Sequence, residues 1–185
     1  MTTVVLGALA LVAWGGFEFA FRTPGEAGSL RRDRTDRAST PLLIVAFALA
    51  IVVPIVLWQA SIGTIGRAAW IGVLLAAAGL VVRAWSMRTL GQAYSRTLRT
   101  ATGQRLVATG PYRWVRHPGY LGSIAVWVGA SLAFHSWLSA LIVAVIMLLA
   151  YGWRIQAEER MLMDHFGDDY RSYAARTARL IPGIY

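Results

Sequence analysis

Apolar residues fall in five runs, separated by polar segments of unequal length. The runs are Val4–Phe21, Pro41–Ile62, Ala68–Met87, Tyr120–Phe134 and Trp137–Trp153. A bilayer core of roughly 30 Å needs about 20 apolar residues to cross it as a helix. The first three runs meet that length. The last two are a little short, and the fourth gains length if its helix reaches back to Pro118. Only His135 and Ser136 separate them, and so short a connection predicts an antiparallel helical hairpin. The pattern predicts an all-α integral membrane protein with about five transmembrane helices, the last two forming a C-terminal hairpin. Pro54 is expected to kink the second helix. Arg83, one turn from the end of the third, is expected to snorkel toward the headgroups.

The polar segments then set an orientation. Five arginines (22, 31, 32, 34, 37) lie between the first and second runs, and six (88, 96, 99, 105, 113, 116) between the third and fourth. Five more (154, 160, 171, 176, 179) follow the fifth run. These sixteen share one side of the membrane. The other side has Arg67 and the His135 turn, and Arg83 stays inside a span. The positive-inside rule places the N-terminus outside and the basic segments, with the C-terminus, in the cytoplasm. The first run lacks a basic leader, and Phe17-Glu18-Phe19-Ala20-Phe21 is a poor cleavage site, so it is read as a retained helix.

Composition agrees. Hydrophobic residues make up 57% of the 185-residue chain and mean hydropathy is +0.53, more than one soluble core of this size can hide. The net charge of +9 raises the question of nucleic acid, but the arginines cluster at the ends of apolar runs, where membrane proteins keep them. All eighteen basic residues are arginine and cysteine is absent. Disulfides, thiolate metal sites and cysteine nucleophiles are thereby excluded. Three scattered histidines make no metal site. His135 and His165 read as solvated residues and the eight tryptophans mostly as interfacial anchors.

The segments differ in content. Thr23–Thr40 reads as a linker. Arg154–Tyr185 begins as a helix, pauses at Phe166-Gly167 and restarts with Asp168 as its N-cap. The densest polar constellation is Gly110-Pro111-Tyr112-Arg113-Trp114-Val115-Arg116-His117-Pro118-Gly119-Tyr120-Leu121-Gly122, where the chain enters the fourth run. Pro118 biases His117 away from helix, so Arg116 and His117 close an extended segment at a helix start. Gly119 and Gly122 permit close approach of a neighbouring helix or ligand. A plain lipid-binding arginine cluster is an equal reading of this stretch alone. The second constellation is Arg154-Ile155-Gln156-Ala157-Glu158-Glu159. Arg154 and Glu158 are four apart and share a helix face; an amphipathic exit helix with a weak surface ion pair would look the same. The hairpin favours a site, because it returns Arg154–Glu159 to the level of Arg116–Tyr120.

Arg116-His117-Pro118-Gly119-Tyr120, then Gly122, a hairpin, and Arg154-Ile155-Gln156-Ala157-Glu158-Glu159 together resemble the isoprenylcysteine carboxyl methyltransferases and related phospholipid methyltransferases. Leu106-Val107, Gly110-Pro111-Tyr112, Phe166-Gly167-Asp168-Asp169-Tyr170 and Ile181-Pro182 extend the likeness over roughly Gly91–Tyr185. Chain length and the apolar runs predict one membrane domain over residues 1–185, with three helices in 1–87, and the resemblance implies that 88–185 is a cofactor-binding catalytic half. It implies S-adenosyl-L-methionine as methyl donor, contacted by Gln104, Leu106, Val107, Gly110, Tyr112, His117, Pro118 and Tyr120. Glu158 or Glu159 would hold the donor's polar groups and Arg154 would orient a lipophilic acceptor. Gln104 stands where family members often have histidine. No glycine-rich dinucleotide motif occurs.

Methyl transfer from a sulfonium is an in-line displacement, helped mainly by alignment, an effect of about 7–11 kcal/mol at its upper limit. A carboxylate acceptor needs only a cation such as Arg154. A thiol or amine would also have to lose a proton, to Glu158, Glu159 or His117. Two rivals remain: an NADPH-dependent sterol-reductase-like enzyme, for whose phosphates two adjacent carboxylates are poor neighbours, and a non-catalytic lipid-binding membrane protein.

Overall fold

A computed structural model describes residues 1–20, 39–91 and 106–183. Among them the secondary structure is helical throughout: α1 Thr2–Ala20, α2 Ser39–Gln59, α3 Ala69–Leu90, a 3-10 turn Gly110–Arg113, α4 Pro118–Ala133, α5 Trp137–Phe166 and α6 Asp168–Ala174. The helices α1, α2, α3 and α5 are long and apolar enough to cross a membrane, and α4 is a shorter apolar helix. Five apolar helices were expected and five are found. Helix α2 runs through Pro54. The restart after α5 differs in detail from expectation: Gly167, at φ 54°, caps α6, and Asp168 is its first residue, its carboxylate paired with Arg171.

Helix α4 has 16 residues, or about 24 Å at 1.5 Å per residue, which is short for a roughly 30 Å core. Protein covers both of its ends, so no helix terminus is left bare in lipid. At one end the Ser136 hydroxyl donates to Ile62 O, Ile65 N donates to His135 O, and Trp137 N donates to Gly63 O. His135, at φ 66°, holds Thr3 Oγ1 through Nε2 at 2.7 Å and Ile65 O through Nδ1 at 2.9 Å. It brackets three segments and is not the solvated turn residue its place in the sequence suggests.

Packing of α4 against α3 is the most extensive among the described elements, and it works by omission of side chains. A Cβ added to Gly129 would lie 2.5 Å from both Ala76 N and Gly72 O, and one added to Gly79 would lie 2.7 Å from Gly122 O and Val126 N. The two backbones touch. Lipid gives little hydrophobic reward for helix association, so this closeness, and the dispersion it allows, hold the pair together.

The other helices close around an aromatic stack. Phe47 of α2 lies parallel to Trp127 of α4 at 5.1 Å, and Trp14 of α1 meets both edge-on. Trp14 Nε1 also donates to Ser123 Oγ at 2.9 Å. Trp127 is 4% exposed, so these two tryptophans are core and not interfacial anchors. Tyr151 of α5 borders the stack and meets the Tyr120 ring at 5.0 Å. The core thus leads directly to the polar end of α4.

Candidate active site

The 30 residues of α5 extend about 45 Å, more than a bilayer core requires. The surplus emerges beside the start of α4, and there the two constellations meet. His117 lies in non-helical conformation before Pro118. The strand-like stretch before it pairs with the C-terminal segment: Arg116 N donates to Ala178 O at 2.8 Å, His117 N to Arg179 O at 3.2 Å, and Ala178 N to Trp114 O at 3.0 Å. The extended segment expected to end at Arg116-His117 is thus short: a 3-10 turn occupies Gly110–Arg113, and only Val115 forms a bridge, with Ala178.

The adjacent glutamates have different surroundings. Glu159 is a hub, its side chain 6% exposed: Oε1 is hydrogen-bonded with Arg116 Nε at 2.8 Å and His117 Nε2 at 3.3 Å, and Oε2 forms an ion pair with Arg179 at 2.9 Å. It binds the His117 corner and the C-terminal segment to α5. Arg116 completes the joint by donating to Ala174 O and Thr177 O. Glu158 retains 26% side-chain exposure and accepts the Tyr120 hydroxyl proton on Oε2 at 2.5 Å. Arg154 Nε donates to the same phenol oxygen at 3.1 Å, and its Nη1 reaches Thr40 Oγ1 of α2 at 3.4 Å. The rings of His117 and Tyr120 stack at 5.7 Å.

Helix α6 covers this cluster. Tyr173 donates to Tyr112 O at 2.8 Å, and burial pushes its phenol up to about 12. Burial lifts the Tyr170 phenol further, with the charges of Glu159 and Glu158 adding to the effect. Both phenols therefore remain protonated donors at ordinary pH. Tyr170 is 1% exposed, and its buried hydroxyl has no hydrogen-bond partner among the described residues.

The structure gathers His117, Pro118, Tyr120, Arg154, Glu158 and Glu159 at one place, and ties Tyr112 to them through Tyr173. Gly110 lies apart, facing Thr89 and Trp85 of α3. Leu106 and Val107 lie in the coil before the 3-10 turn, partly buried. Gln104 falls outside the described residues. Sequence reasoning did not single out Arg179 or Thr40, nor separate the duties of the two glutamates; i, i+4 spacing gave no sign that Arg154 and Glu158 meet on a tyrosine. Among the described residues no cluster of potential metal ligands occurs. A groove of about 500 Å³, lined by Val82, Trp85, Trp114, Leu121 and Arg176, lies on the α3 side of the corner and shares only Pro118 with the cluster. This groove and the densest polar chemistry are therefore different places, and the converging polar groups are the better guide to a reactive site.

The sequence profile of the isoprenylcysteine carboxyl methyltransferase family matches residues 70–164, just over half of the chain. The chain belongs to that family. The matched region holds α3, α4, the hairpin and both glutamates. Among individual relatives, the protein-S-isoprenylcysteine O-methyltransferase of Saccharomyces cerevisiae is 33% identical over 116 residues, covering 62% of this chain and 48% of that protein. Methanethiol S-methyltransferase 1 of Bradyrhizobium diazoefficiens is 30% identical over 138 residues, covering 70% of this chain and 46% of that protein. The chain thus spans about half the length of these curated relatives. A solved structure of the eukaryotic intramembrane Ras methyltransferase, an isoprenylcysteine carboxyl methyltransferase, superposes with a TM-score of 0.66 at 24% identity, covering 78% of this chain and 53% of that one. That likeness shows a shared fold.

Proposed function

We propose that the chain is a membrane methyltransferase that uses S-adenosyl-L-methionine to methylate a lipophilic acceptor at the membrane–cytosol boundary. One observation carries the reading: Tyr120, Arg154 and Glu158 converge on a single hydroxyl, beside His117, at the point where α5 leaves the bilayer.

The donor set fits such a cofactor. Its amino-acid end carries an ammonium group and its ribose two hydroxyls, and these call for a carboxylate acceptor with room to bind. Glu158, with a quarter of its side chain exposed, is suited to that task. Glu159, already engaged by Arg116, Arg179 and His117, is not; we assign it the positioning of His117. The orphaned Tyr170 hydroxyl offers a further donor close by. When bound, the cofactor supplies a methyl group on a sulfonium. The chain's part is alignment: His117, Pro118 and Tyr120 shape the donor side, while Arg154 holds the acceptor's reacting oxygen or sulfur in line. A guanidinium neutralises a carboxylate without a proton transfer, so a carboxylate acceptor asks least of these residues.

A small thiol is the second acceptor reading, and one observation favours it: the match to the methanethiol enzyme spans more of this chain than the match to the yeast enzyme. A thiol would pass its proton to Glu158. By the arginine distribution the N-terminus lies outside and the site and C-terminus face the cytoplasm. Binding of radiolabelled S-adenosylmethionine and of NADPH to purified protein tests the proposal: saturable donor binding and no NADPH binding are expected. The reverse result would sink it.

A further inference from the structure

Resting on the donor-site reading above, we propose that Arg83 and Glu18 form a positioning device that sets Tyr120 through the carbonyl of Gly119. Arg83 does not snorkel. It is 5% exposed within the bundle, and its guanidinium pairs with Glu18 of α1 through Nε, at 2.9 Å to Oε1, and through Nη2. Its remaining terminal nitrogen, Nη1, donates to Gly119 O at 2.8 Å. The guanidinium lies so close that a Cβ at Gly119 would sit 3.3 Å from Nη1.

Charged residues inside membrane helices are costly and are rarely retained for anchoring alone. Here anchoring is already supplied by other contacts. Helices α3 and α4 are held by backbone contact at Gly72, Gly79, Gly122 and Gly129. Helix α1 is held by Trp14 in the aromatic stack and by Thr3 on His135. What the pair adds is a fixed hydrogen bond to one peptide, the one joining Gly119 to Tyr120. Rotation of that peptide swings the Tyr120 ring, and with it the hydroxyl on which Arg154 and Glu158 meet. Glu18 keeps the guanidinium aimed. It lies in α1, outside the family-matched residues 70–164, so the pair gives the first span a part in the site.

The decisive variant is the exchanged pair, Glu18→Arg with Arg83→Glu, compared with Arg83→Gln and the wild type in lipid nanodiscs. An exchanged pair restores the α1–α3 attraction, but a carboxylate at position 83 cannot donate to Gly119 O. It should recover the wild-type thermal midpoint while S-adenosylmethionine affinity stays about tenfold or more below wild type, the worth of one hydrogen bond from a charged group. Recovery of both properties would reduce the pair to an anchor and overturn the proposal. Should the exchanged protein not fold, Glu18→Gln serves, since its amide oxygen still accepts from Arg83. It should weaken the donor about threefold while Arg83→Gln costs about tenfold or more, and equal losses would overturn the proposal. Absence of donor binding by the wild type would instead remove the methyltransferase reading, and the positioning role with it.

Discussion

Tyr120 and Glu158, 38 positions apart, are joined by a 2.5 Å hydrogen bond that only the return of α5 alongside α4 makes possible. The phenol donates to the glutamate and accepts from Arg154, so one hydroxyl sets the spacing between the carboxylate assigned to the donor and the cation assigned to the acceptor. Tyr120→Phe keeps the ring, its stacking on His117 and its contact with Tyr151, and removes the oxygen alone. Loss of a bond to charged partners is worth about 1.5–3 kcal/mol. Methyl transfer should therefore fall about 10- to 100-fold, with the thermal midpoint lowered by only about 3–12 °C. Wild-type turnover in this variant would dismiss the hydroxyl as a spacer.

The glutamates should separate cleanly. Glu158→Gln should weaken S-adenosylmethionine binding with little effect on stability, since that side chain is partly exposed. Glu159→Gln strips the anion from Arg116, His117 and Arg179. Breaking a buried ion pair costs about 3–5 kcal/mol, a fall of very roughly 6–20 °C in midpoint for a chain of this size. Thermal unfolding in detergent, run beside an equilibrium binding assay, reads both, and an inverted pattern would exchange the two assignments.

The glycine interface makes a prediction of opposite signs. Gly129→Ala drives a methyl group into the backbone of α3 and should destabilise by about 1–3 kcal/mol through overpacking. Gly15→Ala, in α1, meets nothing within 4 Å and should stabilise by up to about 1 kcal/mol through helix propensity. Equal midpoints for the two proteins would contradict backbone contact between α3 and α4.

Because the chain has no cysteine, single substitutions report topology without background. Thr2→Cys should react with a membrane-impermeant maleimide from outside intact cells. Asp169→Cys, exposed on α6, should react only after the membrane is opened. Labelling of Asp169→Cys in intact cells would reverse the orientation.

Much of this protein was legible as a string of residues. Apolar run lengths give five helices because a bilayer tolerates little else at that depth, and Arg116–Tyr120 with Arg154–Glu159 mark the two stretches that meet. The hairpin needs only the two-residue gap at His135-Ser136 to be foreseen. Spacing along one helix could not tell which of two consecutive carboxylates faces which partners. Glu158 and Glu159 differ by about 100° around α5, and only the placement of α4, α6 and the chain at Arg179 decides that one is enclosed and the other open. Arg83 shows the same limit: its distance from the helix end suggests lipid headgroups, whereas the α1 carboxylate and the Gly119 carbonyl, supplied by two other helices, draw it inward. His135 and Trp127 likewise take their roles from neighbours remote in sequence. Patterning fixes which segments enter the membrane because that is a property of each segment's own solvation, while hydrogen bonds between segments depend on rotations that packing alone sets.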